Sequence, residues 1–190
     1  MSIRNGGSVE DRILDAAAAS VLAVGVNRVT LTDIARRARV SRPTIYRRWP
    51  DTNALLASLL TTRITAVLDE VPTRGNDRES LVERIVGFAE RLRADEVVMS
   101  VLYGAPEFTM VYITDRLGSS QRIMIEALAR EIAEAQETGT VRAGDPHQLA
   151  AMCGLIAQSA VQSARIVEPF LDSEALAAEL RRSLNGYLKP

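Results

Sequence analysis

Thr30 and Ser41 are both residues of the kind that open helices. Each precedes apolar side chains at helical spacing: Ile34, Ala35 and Ala38 after the first, Ile45 and Trp49 after the second. Asp33 stands where it can act as the reciprocal capping partner of Thr30. A helix opened at Thr30 therefore has to close before Ser41. The segment Arg39-Val40-Ser41 that separates the two helices has the length of the turn in a helix-turn-helix. This pair of closely spaced helix starts constrains the fold more than any other feature of the chain.

Helical signals continue on both sides. Ser8, with Asp11 three residues on, opens a first helix that carries Ile13, Ala17 and Val21 on one ridge and Leu14, Ala18 and Leu22 on the next. Gly25 stops it in the usual place for a left-handed C-terminal residue. Pro50-Asp51 breaks the chain after the third helix, and Asp51 caps a longer fourth through Leu55, Leu59 and Leu68. The loop 71–77 ends that helix. Asp77 caps the next, with Leu81, Ile85, Phe88 and Leu92 at helical spacing. A short segment from Val97 to Tyr103 follows, then one from Pro106 onward, with an irregularity expected at 118–120 before Met124, Leu128 and Ile132 resume the period. Asp145 and Pro146 take the cap and first positions of another helix. The last starts near Asp172 or Ser173 and ends by Leu188. No alternating strand pattern, repeat or low-complexity tract appears, so the expected fold is all-α.

A hydrophobic share of 47% provides a core, and an aromatic share of only 4% leaves aliphatic side chains and alanine to fill it. The single cysteine, Cys153, excludes an internal disulfide and a cysteine-based zinc site. The sequence lacks both the roughly 18 apolar residues of a membrane span and the apolar stretch of a signal peptide. By elimination the expected location is cytoplasmic. His147 and Cys153, six positions apart on a helix, are about 120° out of register and make a poor nucleophile–base pair. No Gly-rich phosphate loop or GxSxG occurs, and the acids are scattered; no catalytic residue, cofactor or metal ligand is expected. The net charge of −1 hides an asymmetry. Residues 1–52 carry nine arginines against five acids, a net of +4, while the remainder carries 14 basic against 19 acidic residues, a net of −5. A basic N-terminal quarter on an acidic body fits a segment that meets a polyanion.

On the third helix, at 100° per residue, Ile45 and Trp49 fall on one side and can dock onto Ile34, Ala35 and Ala38. Pro43, Thr44 and Arg47 fall opposite, with Tyr46 and Arg48 on the flanks. Pro43 is tolerable because first-turn amides have no intrahelical partner. A helix of this kind offers its N-terminal end and outer face to the major groove. There arginine pairs with guanine edges or phosphates, threonine meets a thymine methyl or a phosphate, and tyrosine reaches the backbone.

The stretch "VTLTDIARRARVSRPTIYRRWPDTNALL", Val29 to Leu56, resembles the tetracycline-repressor (TetR) family of bacterial transcriptional regulators. The shared features are a threonine before the second helix, Ile-Ala within it, Val-Ser before the third, then Thr-aliphatic-Tyr and an aromatic. The resemblance is dense across these residues, extends loosely over 9–70, and is nearly silent over 71–190. It implies an N-terminal three-helix DNA-binding module (1–50) and a larger C-terminal helical ligand-binding and dimerisation domain (51–190). It further implies a homodimer on a palindrome-like operator of double-stranded DNA, released by a small effector, hence most simply a repressor.

Carried over by position, the family's DNA contacts fall on Thr30, Thr32, Arg42, Pro43, Thr44, Tyr46, Arg47, Arg48 and Thr52. Two departures stand out. Arg39 replaces the usual turn glycine, and Thr52 replaces a frequent phosphate-binding lysine. The resemblance also implies an effector cavity among the larger apolar residues of the C-terminal domain: Phe88, Met99, Leu102, Tyr103, Phe108, Met110, Tyr112, Met124 and Met152. Methionine suits such a wall because it repacks around different shapes, and the sparse polar groups point to a largely apolar ligand. The fourth helix is the expected lever between cavity and DNA module. Residues 149–164 are apolar or small on nearly every face, and Leu176, Leu180, Leu184 and Leu188 follow in i, i+4 steps. These last two helices are the expected dimer seam. The alternative from another class is a helical small-molecule-binding protein whose helix-turn-helix is only structural; the arginine-rich outer face of the third helix argues against it. An enzyme is a distant third.

Overall fold

The computed structural model describes residues 8–114 and 119–190; the residue-118 part of the expected irregularity, and the start of the N-terminus, lie outside the described residues. Among the described residues the chain is all-α, with ten α-helices and one short 3-10 turn and no strand. In chain order they are α1 (Val9–Val24), the 3-10 turn (Val26–Arg28), α2 (Leu31–Ala38), α3 (Arg42–Arg48), α4 (Thr52–Glu70) and α5 (Arg78–Ala94). There follow α6 (Glu96–Gly104), α7 (Pro106–Thr114), α8 (Ser119–Glu137), α9 (Pro146–Val167) and α10 (Ser173–Leu188).

Side-chain caps fix most of the starts. Ser8 and Asp11 form a full capping box at α1. The backbone amides at the starts of α4, α5, α9 and α10 are held by Asp51, Asp77, Asp145 and Asp172. Such a carboxylate accepts from backbone N–H groups in its ionised form, so those bonds hold the Asp77 carboxyl below the usual carboxylate range.

The chain divides into two compact units. One runs to Arg63 and also takes in the segment from Glu96 through α7; the other holds Ile64–Asp95 and the C-terminal part to Pro190. In the first unit α1 packs on α2 and α6, and α2 on α3. Its core is built from Ile13, Leu14, Val21, Ile34, Ile45 and Leu55. The ridge expected from Leu14, Ala18 and Leu22 swings out at its far end. Leu22 is exposed, and Ala16 and Ser20 are buried instead, with the Ser20 hydroxyl donating to Ala16 O at 2.7 Å. Gly25 does end α1, at φ 81° and ψ 148°, in a glycine region outside the left-handed helical well; the chain then passes directly into the 3-10 turn. That turn, which carries no periodic signal, docks on the end of α6. Asn27 Nδ2 donates to Gly104 O at 2.8 Å, and a Cβ on Gly104 would lie only 2.8 Å from Val26 Cγ1.

In the second unit α10 packs on α5 and α9, and α8 on α9 and α5. Leu176, Leu180, Leu184 and Leu188 all face this interior, the last two with no exposure at all. This corrects the expectation that the leucine stripe forms the dimer seam: its partners are helices of its own chain. A half-buried ion pair joins Arg84 of α5 to Glu131 of α8, and Arg84 Nε also donates to Val71 O at 3.3 Å. Burial lowers the guanidinium's affinity for its proton, and the charge of Asp69 opposes that shift. The loop 138–145 is tied down by Arg142, whose Nε donates to Tyr187 O at 2.9 Å and whose guanidinium lies 4.7 Å from the Tyr187 ring centre.

Candidate nucleic-acid interface

The cap of α2 is Thr30. Its hydroxyl accepts from Asp33 N at 3.2 Å and donates to Asp33 Oδ2 at 2.7 Å, while the other oxygen of Asp33 takes Arg36 Nη2 at 2.8 Å. The Asp33 side chain therefore closes the cap through the threonine hydroxyl. Two hydrogen bonds close the far end of α2: Val40 N donates to Ala35 O at 3.0 Å and Arg39 N to Arg36 O at 3.2 Å. This paired arrangement requires the intervening residue, Arg39, to adopt left-handed helical geometry, and it does so at φ 55° and ψ 46°. Ser41 then caps α3, its Oγ accepting from Thr44 N at 3.3 Å and lying 2.7 Å from Thr44 Oγ1.

α3 is divided sharply between its two sides. Ile45 is fully buried and Trp49 is 3% exposed, its indole Nε1 donating to Ser58 Oγ of α4 at 2.8 Å. This anchoring fixes the rotation of α3, and a buried indole N–H with a partner carries no desolvation penalty. Arg42, Pro43 and Arg47 are exposed, Tyr46 is 49% exposed, and Thr44 is half-buried beside them. Thr30 is exposed at the cap of α2, while Thr32 and Thr52 are half-buried in the first turns of α2 and α4. Arg48 differs from its neighbours: it is ion-paired with Glu10 of α1 and lies 5.7 Å from the Trp49 ring centre. Sequence spacing gave no signal of that pairing, because its partner stands 38 positions away. Among the described residues Arg39, Arg42 and Arg47 have no carboxylate within ion-pair distance, so three unneutralised guanidinium groups gather around the turn and outer face of α3.

The residues expected around an effector fall into both units. Met99, Leu102 and Tyr103 lie on α6, and Phe108, Met110 and Tyr112 on α7, all in the first unit. Met99, Leu102, Phe108 and Tyr112 are half-buried, and the Phe108 and Tyr112 rings stand 5.8 Å apart, tilted by 30°. Tyr103 and Met110 are exposed. In the second unit Phe88 of α5 and Met124 of α8 are half-buried, whereas Met152 sits on an exposed face of α9 together with Leu155. Cys153, one position on, is fully buried, and burial pushes its thiol up to about 12, which keeps it protonated and unreactive. Among the described residues no cluster of histidine, cysteine and acidic side chains could hold a metal ion, and no helix is long and apolar enough to cross a membrane.

Comparison with known proteins agrees with this geometry. The family model described as bacterial regulatory proteins, tetR family, matches residues 13–59, the segment that holds α2, α3 and the caps just described. An uncharacterized HTH-type transcriptional regulator of Mycobacterium bovis is 59% identical over 177 residues, 93% of this chain and 93% of that protein. Among solved structures, the transcriptional repressor QsdR of R. erythropolis, from the TetR family, superposes with a TM-score of 0.69 at 16% identity over 96% of each chain. The regulator FadR of Bacillus subtilis, solved in complex with stearoyl-CoA, gives 0.63 at 18% identity over 94% of this chain and 98% of that one. The solved structures carry the fold. The close relative, matched over nearly its whole length, carries the family: this chain is a transcriptional regulator of the bacterial TetR family.

Proposed function

We propose that the protein is a homodimeric repressor that holds a palindrome-like operator and is released by a largely apolar effector. The observation that carries the DNA reading is the division of α3: Ile45 and Trp49 lock one side, and Arg42, Pro43, Tyr46 and Arg47 stand clear on the other. Arg47 and Tyr46 are the base and backbone readers, Arg42 and Thr44 lie at the groove entrance, and Thr30, Thr32 and Thr52 position the flanking phosphates. Arg48 reaches a phosphate only by leaving Glu10, so it contributes less than its charge implies.

Dimerisation is assigned to the open face of α9. Met152, Leu155, Ser159, Ser163 and Ile166 recur at three- and four-residue steps, with Leu155 58% and Ile166 77% exposed. Apolar residues this exposed on one helix face leave a patch that a second copy would cover. Met152 belongs to that seam, and effector contact falls to Met99, Leu102, Tyr103, Phe108 and Tyr112 on α6 and α7. The acyl chain of the stearoyl-CoA held by the Bacillus FadR supports an apolar ligand class. The signal runs from α6 to α1 through the Asn27–Gly104 and Val26–Gly104 junction, then to α2 and α3, all inside one compact unit.

The test is selection of bound duplexes from a random DNA pool, followed by a screen of fatty-acyl compounds for release. A two-fold symmetric consensus is expected, because each half-site meets the same helix. Equal affinity for selected and random duplexes would favour the structural helix-turn-helix, and unchanged affinity at saturating bound ligand would leave a constitutive DNA binder.

A further inference from the structure

We infer that Arg39, which occupies the left-handed position of the turn between α2 and α3, is a DNA-phosphate contact retained at a cost in stability; this rests on the DNA-binding reading above. Arg39 is the one non-glycine residue with positive φ among the described residues. The left-handed well crowds Cβ against the following carbonyl, and a long side chain without a short polar group to bond locally has no means of offsetting that. The closing hydrogen bonds of α2 leave no alternative conformation, since both need the residue between them to be left-handed.

The same chain shows what it does where the motif has only a structural task. At the end of α8, Thr140 N donates to Ala135 O at 3.1 Å and Gly139 N to Gln136 O at 3.0 Å, the same pair of bonds in the same register. There the left-handed position is held by Gly139, at φ 71°. There glycine relieves the turn of that strain. An arginine in the equivalent place beside α3 breaks the local rule, and such exceptions concentrate at functional positions. The side chain is exposed and pairs with no carboxylate among the described residues, whereas Arg36 is held by Asp33 and Arg48 by Glu10. It also stands two positions before Ser41, the cap of the helix proposed to enter the groove. A cation on the turn meets the sugar-phosphate edge, giving affinity without sequence preference.

The experiment compares Arg39→Gly, Arg39→Ala and Arg39→Lys in thermal unfolding and in salt-dependent binding to both a selected and a random duplex. Arg39→Gly is expected to raise Tm by about 2–4 °C, because it removes the backbone strain. It should weaken binding to both duplexes on the order of 10-fold. The slope of log affinity against log salt should become shallower by about 2, one phosphate per half-site of a dimer. Arg39→Ala loses the same affinity without the gain in Tm, and Arg39→Lys keeps affinity and slope. Arg39→Gly bound to the random duplex with the wild-type salt slope would overturn the inference. A protein that selects no duplex yet loses slope on the random one would instead sink the repressor reading and leave the Arg39 contact standing.

Discussion

Replacing Gly104 with alanine isolates the junction between the DNA-binding helices and α6, and its sign is informative. Gly104 ends α6 without a positive φ, so backbone conformation does not oppose a side chain there. On helix propensity alone the change would stabilise by up to about 1 kcal/mol. The surroundings decide otherwise. The new Cβ would stand 2.8 Å from Cγ1 of buried Val26, whereas carbon atoms settle at about 3.5–4.0 Å. The 3-10 turn must retreat by roughly 0.7 Å or more, an overpacking that costs about 1–3 kcal/mol. The same retreat lengthens the 2.8 Å bond from Asn27 Nδ2 to Gly104 O, which is worth about 1 kcal/mol. The net expectation is a loss of about 1–3 kcal/mol, read as a fall in Tm of about 3–9 °C for a chain of this size. Val26→Ala removes the clashing methyl group, so in that background Gly104→Ala should be neutral or stabilising, a coupling on the order of 1–3 kcal/mol. Thermal unfolding of the two single variants and the double variant completes the cycle. If Gly104→Ala raised Tm equally in both backgrounds, the close approach would carry no energy and the proposed route from α6 to α1 would lose its physical basis.

Arg47→Ala or Tyr46→Ala should cost about 1–3 kcal/mol of specific DNA affinity without lowering Tm, since both side chains are exposed; fluorescence anisotropy on the selected duplex checks it. Leu155→Arg should split the dimer while leaving the protomer folded, whereas Leu184→Arg, at a fully buried site, should unfold the chain; sedimentation and circular dichroism of the pair separate seam from core. If Leu155→Arg stays dimeric, the seam lies elsewhere. The buried thiol of Cys153 is pushed up to about 12 from 9.0, so between those values the folded state keeps a proton that the unfolded state releases. Stability should fall as pH rises above 9, by up to about 1.4 kcal/mol per unit from this group, and Cys153→Val should flatten that part of a urea-unfolding pH series.

The local rules of the chain were largely legible. Ser8, Thr30, Ser41, Asp51, Asp77, Asp145 and Asp172 all start helices where their side chains can satisfy first-turn amides, and the inward positions of α2 and α3 follow from period alone. What a helix face meets was not legible. The i, i+4 leucines of α10 and the exposed Leu155 and Ile166 of α9 carry the same kind of signal, yet one set is covered by its own chain and the other is not. Periodicity reports that a face is apolar and is silent about whose atoms cover it. The Arg48–Glu10 pair and the seating of the 3-10 turn on α6 were hidden for a related reason, since both depend on residues brought together from distant parts of the sequence.

Those long-range pairings bear directly on regulation. The unit that holds α2 and α3 also holds α6 and α7. Asn27 and Val26 meet Gly104, the next helix in sequence is α2, and α2 packs on α3 whose rotation is pinned by Trp49 against Ser58. Packed side chains at interior density transmit displacement because they have little room to yield. A ligand that favours one position of α6 need only distinguish it by a modest margin: a hundredfold preference, about 2.7 kcal/mol, is enough for a useful shift in population. In the proposed two-fold dimer that shift would act on both recognition helices together. Their spacing has to match successive major grooves at about 34–36 Å, so a small movement repeated in each copy is counted twice at the operator.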